Sequence, residues 1–340
     1  MKKSVTISRM CRLIKPFFVM AFSFLLITAC YSPVMQRTGV SIKQLATSEC
    51  RVIQHRFGET CVPFKPQRII ALEDGWILDP LLALGIKPVG TVTFAKHVNV
   101  NFRGLSASEV SGIEIVGNGG QASLEKILKL KPDLILSFDD IYDNHNYQLL
   151  SQIAPTIPIE FDKVRHSFKD NLRFIAQIVN REEKAEKLIF TYEAKIKKLQ
   201  QLLIDNNLDK LTVSILDYLG KDTFELQRGD IIYFQIFSDL GLNMPHRPGN
   251  LYYYPSFSIE VVDRYDADIM FFVSLNSNKK RLSSHLNGVL SSLKAVKNKR
   301  VYIVDPHLWY VYGPLGVNKL LDEISQYLLA IDKNPSISKI

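Results

Sequence analysis

Continuous apolar runs of strand length alternate with amphipathic stretches through most of the chain. "RIIAL" (68–72), "PVGTV" (88–92), "GIEIVG" (112–117), "DLILSF" (133–138) and "TIPIEF" (156–161) read as strands in the first half. "LTVSILD" (211–217), "TFEL" (223–226), "DIMFFV" (268–273) and "RVYIV" (300–304) read as strands in the second. Runs that stay apolar, instead of alternating in and out, suit strands covered on both faces of a parallel sheet. Between them "WILDPLLALGI", Tyr147–Ile153, "IIYFQIFSDLG" and "LLDEISQYLLA" carry helical character, and "NGGQ" (118–121) predicts a turn into the next helix. This alternation predicts an α/β fold with parallel-type sheets and covering helices.

The longest helical stretch falls near the middle. "FKDNLRFIAQIVN" is one amphipathic segment, and "REEKAEKLIFTYEAKIKKLQQLLID" (181–205) follows it without a Gly or Pro. At about 1.5 Å per residue the second would span roughly 37 Å, which suits a strut between two halves. The two halves also share a segment. "SLEKILKLKPDLILSF" (123–138) and "SIEVVDRYDADIMFFV" (258–273) align without a gap, each with a Ser, a Glu two residues on, an acid (Asp133, Asp268) and an apolar close. Ser123 and Ser258 suit helix N-caps, and Glu125 and Glu260 fall in the first turn, where negative charge meets the positive end of the helix dipole. Each helix should stop near Lys131-Pro132 or Asp266 and feed a buried strand. Such a repeat predicts two similar lobes.

The N-terminus must be set aside before composition is informative. "MKKSVTISRMCRLIK" is basic, and "PFFVMAFSFLLITA" is apolar but short for a transmembrane helix, a combination that fits a secretory signal. "ITAC" places small residues directly before Cys30 and resembles the lipobox of bacterial lipoproteins, in which that cysteine is lipidated. The expected organisation is a signal over 1–29, a tether over 30–49, an N-terminal lobe over 50–180, a linking helix over 181–205 and a C-terminal lobe over 206–332. Removing Lys2, Lys3, Arg9, Arg12 and Lys15 takes the formal net charge from +8 to +3. No basic run of the kind that grips phosphate backbones remains, which argues against nucleic acid. Of four cysteines, Cys11 leaves with the signal and Cys30 would carry lipid. Cys50 and Cys61 are then expected to pair in an oxidising envelope, free thiols or a metal clip being the alternatives.

"HRFGETCVPFKPQRIIALEDGWILDPLLALGIKPVG", "LEKILKLKPDLIL", "DLGLN" and "RVYIVDPHLWYVYG" resemble the periplasmic binding proteins that serve iron-complex and cobalamin ABC importers, from about Arg51 to Leu329. The resemblance implies two Rossmann-like α/β lobes joined by one long rigid helix, with a ligand cleft between them. It also implies that an exposed glutamate on each lobe meets arginines on the membrane permease, the partner that works with its ATPase, and Glu125 and Glu260 match those positions. The ligand should lie at the C-terminal ends of strands. The candidates there are Glu73, Asp74, Trp76, Thr93, Phe94, Asn118, Asp139, Asp140 and Tyr142 on the first lobe. On the second they are Asp217, Tyr218, Arg228, Arg247, Tyr252, Tyr253, Tyr254, Trp309, Tyr310 and Tyr312. Aromatic rings and Arg forks suit a bulky, partly apolar, often anionic ferric siderophore.

The expected function is thus an extracytoplasmic, lipid-anchored and monomeric substrate-binding protein with no intrinsic cofactor. The alternatives are a haem or cobalamin binder, or a zinc or manganese binder using His97, His145, His166, His246 or His307. None of these histidines shows local metal-ligand spacing. Nor does the chain contain G-x-S-x-G, a P-loop or H-E-x-x-H, so no enzyme is expected.

Overall fold

The computed structural model describes residues 50–94, 102–139, 143–165, 167–229, 231–249 and 255–331. Cys30, His97, Asp140, Tyr142, His166 and Tyr252–Tyr254 lie outside them. The described chain opens with a hairpin of β1 (Cys50–His55) and β2 (Gly58–Pro63), in which Cys50 and Cys61 form a disulfide with their Cα atoms 5.5 Å apart. Arg56 at the hairpin tip pairs with Asp139 at 2.7 Å.

Two sheets follow. In the first, β3 (Ile69–Ala71), β4 (Gly90–Thr93), β5 (Glu114–Asn118), β6 (Gln121–Ala122), β7 (Leu134–Phe138) and β8 (Thr156–Ile159) are ordered β6-β5-β4-β3-β7-β8. All its pairs are parallel except β5 with β6. "NGGQ" therefore does not lead straight into a helix. It is a tight reversal that folds β6 back on β5, with Gly120 at φ +80°, and the helix waits for Ser123. The reversal is so close that a Cβ on Gly117 would lie 2.2 Å from the Gln121 carbonyl oxygen.

In the second sheet, β9 (Val213–Gly220), β10 (Thr223–Glu225), β11 (Ser256–Ser258), β12 (Ile269–Val273) and β13 (Val301–Val304) are ordered β11-β10-β9-β12-β13. β9, β12 and β13 are parallel, whereas β10 and β11 add an antiparallel flank. The apolar runs are covered on both faces, as their pattern predicts. Ile269, Phe271 and Val273 enter one core cluster, and Met270 and Phe272 enter another on the opposite face. Leu134 and Leu136 likewise face one cluster and Ile135 the other.

The long helix is Glu182–Asp205. Its first turns bury Ala185 and Ile189 in the core of the first lobe, and its later turns bury Tyr192, Ile196, Leu199 and Leu203 in the core of the second. A continuous helix that shares in both cores resists bending, because a kink would open buried apolar surface on each side. A second tie runs through the C-terminal helix Pro314–Ala330. Asp79, buried in the first lobe, accepts from the backbone N–H groups of Leu315 (2.9 Å) and Gly316 (2.8 Å), and so caps that helix. Lys319 of the same helix bonds the Gly104 carbonyl at 2.8 Å and Glu109 at 2.7 Å.

Candidate functional site

The chain after β3 does not enter an ordinary helix. Asp74–Leu78 form a single wide π-helical turn, in which Leu78 N–H donates to the Glu73 carbonyl five residues back at 3.0 Å. Such wide turns are uncommon and often mark functional positions. Here the turn packs two consecutive acids and Trp76 against the C-terminal ends of the strands. All three side chains are buried, and the Glu73 carboxylate accepts from Trp76 N–H.

Arg103 closes this cluster. Its backbone N–H donates to Asp74 Oδ2 at 2.8 Å, its Nε to Asp74 Oδ1 at 3.1 Å, and its Nη2 reaches both Glu73 and Asp74. The guanidinium carbon lies 4.2 Å from the centre of the Phe94 ring and 4.9 Å from that of Tyr312, so the cation is both paired and stacked. Burial pushes the Glu73 carboxyl up to about 8, against the pull of Arg103, and the neighbouring Asp74 adds to the rise. For Asp74 burial acts in the same direction, but the charge and hydrogen bonds of Arg103 outweigh it and hold the carboxyl below its ordinary value. Near neutral pH the cluster therefore carries one ionised acid, one protonated acid and one guanidinium.

These groups form the polar base of a cavity of about 360 Å³, within the range of small-molecule sites. Its walls are aromatic. Trp76 stacks on Tyr312 with ring centres 4.5 Å apart, and Phe138 lies on the other side at 6.0 Å. Phe94, Phe161, Val92, Leu72, Thr93 and the Gly119–Gly120 reversal complete the lining. Tyr312 comes from the segment after β13, so both halves of the chain contribute.

The structure thus gathers Glu73, Asp74, Trp76, Thr93, Phe94 and Tyr312 into one pocket, and scatters the other candidates. Trp309 is a correction: it is 0% exposed, packed among Tyr233, Phe237 and Phe271, with its indole N–H 3.3 Å from Glu323. Tyr218 is likewise buried, against Phe224, and offers no surface to a ligand. Both follow from packing, since large rings at strand ends can close a core as readily as they can line a cleft. Tyr310 donates to Asp217, which is buried and also receives Gln227 Nε2 at 2.6 Å. Arg247 donates from Nε to the Gly229 carbonyl at 2.9 Å and lines a separate small cavity with Lys169 and Asp239. Arg228 places its guanidinium 5.0 Å from the Phe161 ring centre, beside the pocket wall. Asn118 ends β5, and Asp139 accepts from Phe161 N–H at 2.8 Å in addition to its pair with Arg56.

Arg103, Phe138 and Phe161 were not anticipated. A signal for Arg103 existed: two adjacent acids directly after a buried strand need a cation or a proton. Its sequence position, 29 residues beyond Asp74, gave no hint which cation would arrive. Among the described residues no group of three or more His, Cys, Asp or Glu is placed to hold a metal ion.

Residues 72–308 match the periplasmic binding protein family over more than half the chain. The chain belongs to that family. Among its relatives, the probable siderophore-binding lipoprotein YfiY of Bacillus subtilis is 29% identical over 91% of this chain and 97% of its own length. The Fe(3+)-citrate-binding protein YfmC of the same organism is 30% identical over 88% of this chain and 91% of its own. Among solved structures, Staphylococcus aureus SirA complexed with staphyloferrin B superposes with a TM-score of 0.66 at 26% identity, covering 82% of this chain and 98% of that one. As in other members of this periplasmic binding protein family, two lobes carry parallel-type sheets.

Glu125 and Glu260 are both exposed. Glu125 lies in the helix Leu124–Lys129, which Ser123 caps by accepting from Lys126 N–H, and it is met by Lys129 at 2.7 Å. Glu260 lies in a 3₁₀ segment, Ile259–Tyr265, whose Ser258 makes no side-chain cap bond.

Proposed function

We propose that this protein is the substrate-binding lipoprotein of an ABC importer, which captures a ferric siderophore outside the cytoplasm and delivers it to a membrane permease. The observation that carries the reading is the aromatic pocket with Arg103 at its base, set at the strand C-termini and completed by Tyr312 from the second half. Relatives named for siderophore, ferric-hydroxamate and ferric-citrate binding support it. In this reading the pocket binds and does no chemistry, the chain acts as a monomer, and "ITAC" directs lipid attachment at Cys30, which lies outside the described residues. The exposed Glu125 and Glu260 then serve as the two docking points for the permease.

Tryptophan fluorescence tests the binding step. The chain has two tryptophans, Trp76 in the pocket wall and Trp309 in the core. A bound ferric chelate should quench saturably with a dissociation constant below ~10 µM, about −7 kcal/mol. Trp309→Phe should keep most of the quench and Trp76→Phe should lose it. Tight binding of Zn²⁺ or Mn²⁺, with no ferric chelate bound in that range, overturns the assignment. Intact mass of membrane-extracted protein tests the anchor, where an internal, unmodified Cys30 rules it out.

A further inference from the structure

The pocket's charge, which its relatives' names leave open, is decided by how its cation is used. Arg103 is the only cationic side chain lining the pocket among the described residues, and it is already committed to Glu73 and Asp74. The other nearby cations among the described residues are committed too. Arg56 pairs with Asp139, Arg247 is turned to the Gly229 carbonyl, and Arg228 lies over the Phe161 ring and has a further contact of its own. An anionic guest would therefore meet a balanced cluster, in which ionised Asp74 already offsets the guanidinium and Glu73 keeps its proton, with no spare positive charge among the described residues to receive it. Buried charges are screened far less than those on the surface, so the local balance outweighs the protein's positive net charge.

The remaining polar capacity has a definite character. Nη1 of Arg103 finds no acceptor among the described residues, which leaves a donor for an uncharged carbonyl-type oxygen. Around it stand Trp76, Phe94, Phe138 and Tyr312, rings that favour an apolar or cationic guest surface.

Resting on the ferric-chelate reading above, we infer that the pocket selects a ferric complex without net negative charge, of the trihydroxamate class, over multiply anionic catecholate or citrate complexes. Three singly charged hydroxamates cancel the charge of ferric iron, whereas three catecholates leave a triply negative complex. The neutral complex presents oxygen acceptors to Nη1 and apolar surface to the rings without burying a charge that the balanced cluster cannot offset. Selectivity here comes from leaving a buried anion uncompensated as much as from attraction to the neutral complex.

The test is calorimetric titration of the full mature chain with three probes: ferrichrome (uncharged trihydroxamate), ferric enterobactin (triply anionic tricatecholate) and ferric dicitrate. Ferrichrome should bind at least thirtyfold more tightly than either anion. The double variant Glu73→Gln/Asp74→Asn, which frees the guanidinium of its counter-charge and keeps the shape, should improve enterobactin binding about tenfold or more and change ferrichrome binding by less than threefold. Should that variant fold poorly, raising ionic strength in the wild type gives a second reading: enterobactin binding should not weaken with salt, and a marked weakening would reveal a free cation in the site and overturn the charge selection. Tighter binding of either anion than of ferrichrome overturns the charge selection but leaves chelate capture standing. Failure of all three with a folded chain overturns chelate capture and the inference with it.

Discussion

Asp133 and Asp268 occupy the same place in the two copies of the repeated segment and do the same work on different neighbours. Asp133 accepts from the backbone N–H groups of Gln67 (2.7 Å) and Arg68 (2.9 Å), just ahead of β3. Asp268 accepts from the backbone N–H and the hydroxyl of Thr212 (3.0 and 2.8 Å), just ahead of β9, and pairs with Lys294 at 2.7 Å. Each acid fixes the start of the adjacent parallel strand, and so sets its register. Ile69 pairs with Leu134 and Val213 with Ile269, so counting forward makes Glu73 and Asp217 equivalent too.

At that second place the lobes part. β3 stops at Ala71, and the acids after it turn into a pocket where Arg103 compensates them. β9 continues to Gly220, which keeps Asp217 inside the sheet with Gln227 and Tyr310 and no paired cation among the described residues. Burial there pushes the Asp217 carboxyl well above its ordinary value. A duplicated framework thus keeps the acids that set register and lets the acids at strand ends diverge.

The sharpest break in the comparison should come from Asp74→Ala set beside Asp217→Asn. The first leaves a buried guanidinium short of its main partner and should cost on the order of 3–5 kcal/mol. The second replaces a buried acid that has no paired cation among the described residues by a neutral amide of the same shape, and should cost about 1 kcal/mol or less. Because the folded Asp217 value is raised, the stability it contributes is complete below about pH 4 and is lost as pH rises through the folded value. The Asn variant should lack that loss. Urea unfolding across pH checks both, and equal costs would erase the distinction between an acid paired with a cation and one held by neutral donors.

The register acids should come next, with Asp133→Ala and Asp268→Ala each costing about 2–3 kcal/mol, as expected for charged hydrogen bonds to backbone. Although burial works against it, the bonds from Lys294 and Thr212 hold Asp268 down to about 2. Its contribution is therefore full above the unfolded value near pH 4 and disappears as pH falls through about 2. Acid unfolding of Asp268→Asn should show a shallower decline than the wild type between those limits. A cost in one lobe alone would show that the two acids are not equivalent.

Smaller differences follow from the caps. Ser123→Ala should cost about 1 kcal/mol because it removes the bond to Lys126 N–H, whereas Ser258→Ala, with no cap bond to lose, should cost only a few tenths. Thermal melts resolve that difference. Smallest of all, reversing Glu125 and Glu260 to Lys should change stability by less than about 0.5 kcal/mol each. If the proposed docking role holds, the double variant should stop ligand uptake while leaving affinity unchanged, and normal uptake would leave both as ordinary first-turn charges.

Much of this is legible in the sequence alone, and for a physical reason. Periodicity reports what each side chain does with water, so the buried strands, the duplicated segment and the uninterrupted helix could be read from local pattern. The cysteines could be paired by elimination. What the pattern cannot carry is the choice between two fates for the same residue. Trp76 and Trp309 each sit near a strand end, among other aromatics. One became a pocket wall because Tyr312, from the far end of the chain, stacked on it while leaving a cavity beside it. The other became core because Tyr233, Phe237 and Phe271 closed around it. Arg103 shows the same limit from the side of charge: a buried acid pair announces in sequence that it needs a partner, but only the tertiary fold decides which cation has the reach and the burial to supply it.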